Sequence, residues 1–200
     1  MRLLVYDRTC VRKRGRLSGL WKAGARLYQR LGRIDAAHGV ATWDEAFAWL
    51  ATHERIDELQ YWGHGEWGRV LVEKDTLDAA SIAGRHARGV AALRERLSPG
   101  GLVWFRSCET FGADAGHDFA QRLAETLAAR VAGHTYVIAY HQSGLHGLAP
   151  GARPDWSPAE GLLEGTPAAP KRARWSKPWS PHTVTALTAA VPPAWFTCGN

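Results

Sequence analysis

The chain is poor in cysteine and has no long apolar run. Its 200 residues contain three cysteines, Cys10, Cys108 and Cys198, which are odd in number and far apart. This usage excludes a disulfide framework and is typical of a reducing compartment, so we expect a cytoplasmic protein. No apolar stretch approaches the roughly 20 residues of a membrane span, so no transmembrane segment is expected. The short apolar stretch before Asp7 indicates a first strand rather than a signal peptide.

Signatures of several ligand-binding classes are also missing. No nucleic-acid-binding motif occurs, and no glycine-rich segment is followed by the Lys-Ser/Thr of a phosphate-binding loop. The nine histidines include His134, His141 and His146, but their spacing matches no standard zinc pattern, and no paired cysteine accompanies them. The sequence therefore predicts no metal, no other cofactor and no nucleic-acid partner.

Positive charge is concentrated in two basic arms at the ends of the chain, and the formal net charge is +6. Residues 8–34 hold nine Lys/Arg and no acid, and residues 165–200 hold four Lys/Arg and no acid. Residues 35–170 hold 18 acids against 11 bases, a net of −7. The arms are either solvated faces that offset the acidic centre or a binding surface for an anionic ligand, such as a phosphorylated molecule or anionic lipid.

Hydrophobic periodicity predicts alternating strands and helices. Strands are expected at 2–7, 34–40, 56–62, 102–106 and 136–140, and helices at 17–31, 42–53, 87–97 and 114–130. Thr42 and Glu45 have the spacing of a capping box at the start of the second helix. A small hairpin is expected near residues 69–75. This alternation predicts an α/β fold with a doubly wound, mostly parallel sheet flanked by helices.

We expect residues 1–140 to form this α/β domain. Residues 141–200 hold most of the prolines, with Gly and Trp between them. Residues 141–182 are interpreted as a long loop and residues 183–191 as a last, edge-like strand. The sequence therefore predicts a loop-rich C-terminal extension packed on the same domain.

Two tripeptides close apolar strands and carry candidate chemistry. Gly63-His64-Gly65 follows one strand and Ser107-Cys108-Glu109 follows another, which is where open α/β sheets place functional residues. A thiol is a potent nucleophile only as thiolate, so Cys108 needs a base, for which His64 is the candidate. Either residue alone is more often structural, but their joint placement favours a catalytic pair. The backbone N–H groups of Gly65 and Cys108 could form an oxyanion hole.

These segments resemble the caspase-like (clan CD) cysteine peptidases, which include caspases, legumains, clostripain, gingipains and separase. In that group one hydrophobic strand ends in His-Gly and another ends in a small residue followed by Cys. This chain shows Tyr61-Trp62-Gly63-His64-Gly65 and Val103-Trp104-Phe105-Arg106-Ser107-Cys108. Residues 60–140 also resemble a caspase-like domain of unassigned activity in large bacterial surface proteins. The resemblance implies a caspase-like sheet, with His64 as general base and acid and Cys108 as nucleophile.

The resemblance also implies a role for the residue two positions before the nucleophile, which in the family helps to line the pocket for the substrate side chain. Here that residue is Arg106, and our hypothesis is that it favours an acidic side chain by charge-assisted pairing. The alternative is a strand-end arginine that points to solvent or pairs with a helix acid. The chain departs from caspases after the cysteine, where Glu109-Thr110-Phe111-Gly112 replaces an Arg-Gly or similar sequence.

Three functions follow from these residues. The first is a cysteine endopeptidase that cleaves protein or peptide substrates through a thioester on Cys108. The second is a catalytically silent caspase-like module that binds through its cleft or its basic, Trp-rich tail. The third is another thiol hydrolase or acyltransferase built on a similar sheet.

Overall fold

A computed structural model describes residues 1–11 and 17–199. Strands and helices alternate along most of this part of the chain. In chain order the elements are β1 (Arg2–Asp7), α1 (Leu17–Arg30), β2 (Ala36–Val40), α2 (Trp43–Leu50), β3 (Ile56–Trp62), β4 (His64–Glu66), β5 (Arg69–Val72), β6 (Asp75–Asp78), α3 (Ala79–Ala83), α4 (Ala87–Arg96), β7 (Leu97–Arg106), α5 (Ala113–Leu127), β8 (Arg130–His134), β9 (His141–Gln142), β10 (Leu145–Leu148), β11 (Leu162–Thr166), β12 (Ala169–Ala173), β13 (Val184–Thr185) and β14 (Phe196–Thr197).

A seven-stranded sheet in the order β14-β10-β8-β7-β3-β1-β2 forms the centre of the fold. The five strands from β8 to β2 are parallel, whereas β10 runs antiparallel to β8 and pairs with β14. From β1 the chain first extends the sheet on one side with β2 and then returns to add β3 on the other side. The order therefore reverses between β1 and β3, and the crevice at the carboxyl ends of these strands is the usual place for a ligand site.

Both faces of the sheet are covered. On one face α2, α4 and α5 bury Phe47, Leu93 and Phe119 against the strands. On the other face α1 packs through Tyr28, and beside it the C-terminal segment contributes Val191. The chain is thus a mixed α/β fold with a mostly parallel sheet flanked by helices, as the alternation of elements predicts.

The start of α2 shows how local sequence sets an element. Thr42 is extended, with φ −148° and ψ 162°, and its hydroxyl accepts the N–H of Glu45 at 3.1 Å. The Glu45 carboxylate reaches back to the N–H of Ala41 at 2.8 Å. The cap therefore satisfies one helix donor as expected, while the return bond goes to the residue before the cap.

The predicted strand at residues 136–140 is wrong. The strand that pairs with β7 is β8, Arg130–His134, and residues 136–140 form irregular structure with a single bridge from Val137 to Trp175. Tyr136 is nevertheless buried. The apolar run therefore contacts the C-terminal segment through Val137 and has no place in the central sheet, and Ala139 and Tyr140 at its end are exposed.

The interpretation of residues 141–182 as one long loop is also wrong, because this stretch contains β9, β10, β11 and β12. Of these, β10 belongs to the central sheet, and β11 and β12 form a separate hairpin. The strand predicted at 183–191 is reduced to β13, which pairs with β9. These strands are two to five residues long, so they show no readable periodicity. In addition, β10 and β13 pair with strands that are distant in sequence, β14 and β9.

Candidate active site

The parallel register of β3 and β7 brings His64 and Cys108 to neighbouring strand ends. Trp62 lies opposite Arg106 at the end of the two strands, and each candidate residue follows two positions later. On the other side of β3, Tyr6 of β1 lies opposite Trp62, so the chain that follows β1 reaches the same edge. Both candidates therefore lie beside the point where the strand order reverses.

The β4–β5 hairpin packs closely on the loop that contains Cys108. A Cβ at Gly65 would lie 2.5 Å from the Cys108 carbonyl oxygen and 2.4 Å from Thr110 Oγ1. The N–H of Gly68 donates to the Thr110 carbonyl at 3.1 Å. Only glycine permits so close an approach at residue 65, so the strand carrying His64 is held against the candidate nucleophile.

The His64 ring contacts a thiol other than the expected one. Its Nε2 lies 3.3 Å from Sγ of Cys10, and Trp21 meets the ring edge-on with centroids 5.4 Å apart. Within the described residues no hydrogen bond joins His64 to Cys108. Sequence reasoning missed Cys10, although its position three residues after β1, at the same edge of the sheet, was an available signal.

The Cys108 thiol is held by the backbone of Ile138. Its Sγ accepts the Ile138 N–H at 3.4 Å and donates to the carbonyl of the same residue at 3.8 Å. Burial raises the pKa of Cys108 to about 11; the Glu109 carboxylate adds to this rise and the Ile138 N–H opposes it. At neutral pH the resting thiol is therefore protonated, and nucleophilic chemistry requires a base to remove its proton.

Glu109 introduces a titratable charge directly beside Cys108. Its φ of 57° lies in the left-handed region, which is uncommon for a residue other than glycine and recurs at functional sites. Burial raises the pKa of Glu109 to about 7, and the nearby Glu66 carboxylate reinforces the rise. The charge next to Cys108 consequently changes near neutral pH.

The two expected oxyanion-hole donors, the N–H groups of Gly65 and Cys108, lie on the segments that meet at this edge. Glu66 pairs with Arg69 across a two-residue turn, which makes that pair the hydrogen-bonded one. Gly65, opposite Val70, is then at a non-hydrogen-bonded position, and its N–H points away from β5. The Cys108 N–H donates to no acceptor on another described residue. Neither N–H donates to a backbone acceptor on another described residue, so both stay candidates for an oxyanion hole.

Arg106 lies beneath the C-terminal segment and is 4% exposed. Its guanidinium donates to Tyr28 Oη at 2.8 Å, Thr188 O at 2.9 Å, Thr185 O at 3.0 Å and Gln142 Oε1 at 3.0 Å. Burial lowers the pKa of Arg106, but the group remains charged at physiological pH. It neither points to solvent nor pairs with a helix acid, and protein acceptors already occupy most of its five N–H donors.

The histidines considered for metal binding have other partners. His134 is buried, with Nδ1 3.1 Å from the Ser143 carbonyl, and His146 Nε2 lies 2.9 Å from the Glu160 carboxylate. His141 belongs to β9. Over residues 1–11 and 17–199, no group of three or more His, Cys, Asp or Glu side chains is arranged to hold a metal ion.

The basic arms are only partly described. Residues 12–16, which carry four of the nine basic residues of the first arm, lie outside the described residues. Lys22, Arg26 and Arg30 are exposed along α1, and Lys171 is exposed on β12. In the described part of the chain, no helix has the length and apolar character that crossing a membrane requires.

Comparison with known proteins yields one family. A family model described as a domain of unknown function, DUF4347, matches residues 35–144, which is more than half of the chain. The matched residues include His64, Arg106 and Cys108, whereas Cys10 and the Thr185–Thr188 segment lie outside them. No curated protein matches the chain.

Proposed function

The chain belongs to the DUF4347 family, and we propose that it is a caspase-like cysteine endopeptidase. Cys108 attacks the carbonyl carbon of a peptide bond after His64 has accepted the thiol proton. His64 then donates that proton to the leaving amine, and a thioester remains on Cys108. Water hydrolyses the thioester with His64 again acting as base. The substrate is a protein or peptide, no cofactor takes part, and a cytoplasmic setting suits three cysteines that form no disulfide.

The observation that carries this proposal is the placement of the two candidate residues. The β3–β7 register sets His64 and Cys108 at adjacent strand ends, and the glycine contact at residue 65 presses β4 onto the Cys108 loop. A base and a thiol at adjacent carboxyl ends of a parallel sheet favour acyl-transfer chemistry over two unrelated structural roles.

The backbone donors support the same chemistry. The attacked carbonyl oxygen gains negative charge in the tetrahedral intermediate, and donors fixed in advance stabilise that charge. The N–H groups of Gly65 and Cys108 lie on the two segments that meet at the site, and neither donates to a backbone acceptor on another described residue. Loss of one such donor in other acyl-transfer enzymes costs about 10²–10³ in rate.

The mechanism requires the His64 ring to change partner. In the resting arrangement Nε2 faces Cys10, while Cys108 is bound by Ile138 and protonated. Catalytic hydrogen bonds are often poorly aligned in ligand-free enzymes and tighten when substrate binds. Substrate binding is therefore the step at which His64 turns to Cys108.

Arg106 is the proposed specificity residue, and it favours a substrate with an acidic residue before the cleaved bond. Because Thr185 and Thr188 carbonyls already occupy part of the guanidinium, an acidic substrate side chain would have to displace this segment. A carboxylate is a stronger partner for a guanidinium than a neutral carbonyl, so the proposed pairing requires the Thr185–Thr188 segment to move aside.

The second candidate is a catalytically silent caspase-like binding module. The raised pKa of Cys108 and the Cys10–His64 contact favour it, because both leave the Cys108 thiol without an activating base. Binding would then use the cleft or the basic tail, where Trp175 and Trp179 are 64% and 79% exposed. A thiol hydrolase or acyltransferase would use the same nucleophile. It would differ from the endopeptidase in its substrate or in the molecule that accepts the acyl group.

Covalent labelling separates these functions. The intact protein is treated with peptide acyloxymethyl ketones that place Asp, Glu, Arg, Lys or Leu next to the warhead, and the modified residue is mapped by mass spectrometry. The proposal predicts labelling at Cys108, strongest with Asp or Glu, that is lost in His64→Ala and unchanged in Cys198→Ala. A preference for Arg or Lys would overturn the role of Arg106.

The remaining outcome separates the two candidate functions. If no ketone labels Cys108 while a small alkylator still reaches it, the endopeptidase is wrong and the silent module is favoured. Circular dichroism of each variant confirms that the fold is retained.

A further inference from the structure

Cys10 occupies a defined position at the candidate active site. Both the N–H and the hydroxyl of Thr9 bind Asp7 Oδ1, at 2.7 and 2.6 Å, in the turn that follows β1. The Cys10 carbonyl accepts the N–H of Ser18, at the start of α1, at 3.3 Å. The backbone that carries the Cys10 thiol is therefore held from both sides, by a buried aspartate and by the first turn of a helix.

His64 meets this thiol directly. The 3.3 Å separation between Nε2 and Sγ is a hydrogen-bond distance for sulfur, and Trp21 of α1 packs against the same ring. Cys10 is half-buried rather than enclosed, so small reagents can reach it. An imidazole at this distance can accept the thiol proton and leave a nucleophilic thiolate.

Cys108 lacks that assistance in the same arrangement. Its sulfur is bound to the backbone of Ile138, and burial holds its pKa at about 11. Two thiols therefore lie around one imidazole, and Nε2 can serve only one of them at a time. The described contacts assign it to Cys10.

We propose that Cys10 is the reactive thiol of the resting protein and that its contact with His64 withholds the base from Cys108. The first part depends only on the Cys10–His64 geometry. The second part rests on the proposed function, since it takes Cys108 as the nucleophile that is held back. Cys10 is thus a positioning residue for His64 and the first thiol that a small electrophile such as iodoacetamide modifies, whereas peptide ketones, which need a bound peptide, are expected at Cys108.

The first test is the alkylation rate of each thiol. The full chain is treated with iodoacetamide at pH 7, and the rates at Cys10, Cys108 and Cys198 are followed by mass spectrometry of tryptic peptides. In this reaction a thiolate forms a sulfur–carbon bond, iodide leaves, and the displaced proton passes to the base or to solvent. Cys10 should react faster than Cys108, and His64→Ala should slow Cys10 without changing the rate at Cys198.

The size of the effect is bounded by thiol ionisation. An ordinary thiol is a few per cent ionised at pH 7, so complete assistance by His64 raises the rate by at most about 30-fold. A loss of about tenfold or more at Cys10 in His64→Ala is the expected result. Equal Cys10 rates in the wild-type protein and in His64→Ala would overturn the proposal.

The second test asks whether Cys10 restrains His64. Cys10→Ala removes the thiol that contacts Nε2, whereas Cys10→Ser keeps a hydroxyl that can bind it. Cys108 should alkylate faster in Cys10→Ala and at the wild-type rate in Cys10→Ser. In Cys10→Ala the pH profile at Cys108 should gain a step in the histidine range, which a purely structural effect would not produce. Equal Cys108 rates in the Ala and Ser variants, or no rise in either, would refute the restraint.

These outcomes are distinct from failure of the proposed function. Alkylation by iodoacetamide requires no peptide cleavage, so the restraint can hold in a protein that no peptide ketone labels. Conversely, ketone labelling at Cys108 together with His64-independent alkylation at Cys10 would leave the endopeptidase standing and remove the role of Cys10.

Discussion

Replacing Glu109 with glutamine tests the electrostatics around Cys108. The folded protein raises the pKa of this carboxyl from the ordinary 4.5 to about 7, chiefly by burial. Between these two values the folded state holds a proton that the unfolded chain has released. The contribution to stability is therefore fully present below the unfolded pKa and is lost as the pH rises through about 7.

The magnitude follows from the same two pKa values. The interval from 4.5 to about 7 corresponds to about 3.4 kcal/mol. Because the side chain is only half-buried, solvent screening reduces this to about 1–2 kcal/mol. Glutamine never ionises, so Glu109→Gln should avoid the loss. It should also remove the negative charge that helps to raise the pKa of Cys108.

Urea unfolding at pH 5 and pH 8.5 measures the first effect. Between these conditions the wild-type free energy of unfolding should fall by about 1–2 kcal/mol relative to Glu109→Gln. Glu164→Gln, at an exposed position of β11, is the matched control and should follow the wild type. Cys108 in Glu109→Gln should also alkylate faster at pH 8.5. Parallel pH profiles for the wild type and Glu109→Gln would refute the reasoning.

Three further substitutions probe packing around the site and the fold. Gly65→Ala forces the hairpin away from the Cys108 loop and should cost about 1–3 kcal/mol in urea unfolding and abolish ketone labelling at Cys108. The control Gly19→Ala meets no atom within 4 Å and should stabilise α1 by up to about 1 kcal/mol; a loss as large as that of Gly65→Ala would contradict the steric argument. Phe111→Ala removes a fully buried ring stacked on a tryptophan and should lower the free energy of unfolding by about 3–5 kcal/mol, seen as a lower urea midpoint. A cost below about 1 kcal/mol would be inconsistent with that burial. Thr42→Ala removes the cap of α2 and should cost about 1 kcal/mol in thermal unfolding, and an unchanged melting temperature would show that the cap is dispensable.

Elements with a strong local signal could be predicted from the sequence. The strand at 56–62 coincides with β3, and the helix expected at 87–97 is α4, Ala87–Arg96. In both cases the periodicity and the flanking residues lie within one short window. The C-terminal strands could not be found in this way, because β10 and β14 are defined by pairing across the central sheet rather than by their own residues.

The candidate site shows the same difference between features with a local sequence signal and features that depend on long-range contacts. His64 and Cys108 follow apolar strands, so their shared edge could be inferred from alternation alone. The Cys10–His64 contact depends on the turn after β1, which local patterning does not determine. Similarly, the burial of Arg106 depends on the Thr185–Thr188 segment, whose contacts with α1 and β7 join distant parts of the chain.

The most direct test of the proposed catalytic pair is a crystal structure of the protein after reaction with a peptide acyloxymethyl ketone. The proposed mechanism predicts a covalent bond to Cys108 Sγ, the His64 ring turned from Cys10 to that sulfur, and the inhibitor carbonyl oxygen facing the N–H groups of Gly65 and Cys108. An adduct on Cys10, or an adduct on Cys108 with His64 still bound to Cys10, would contradict it.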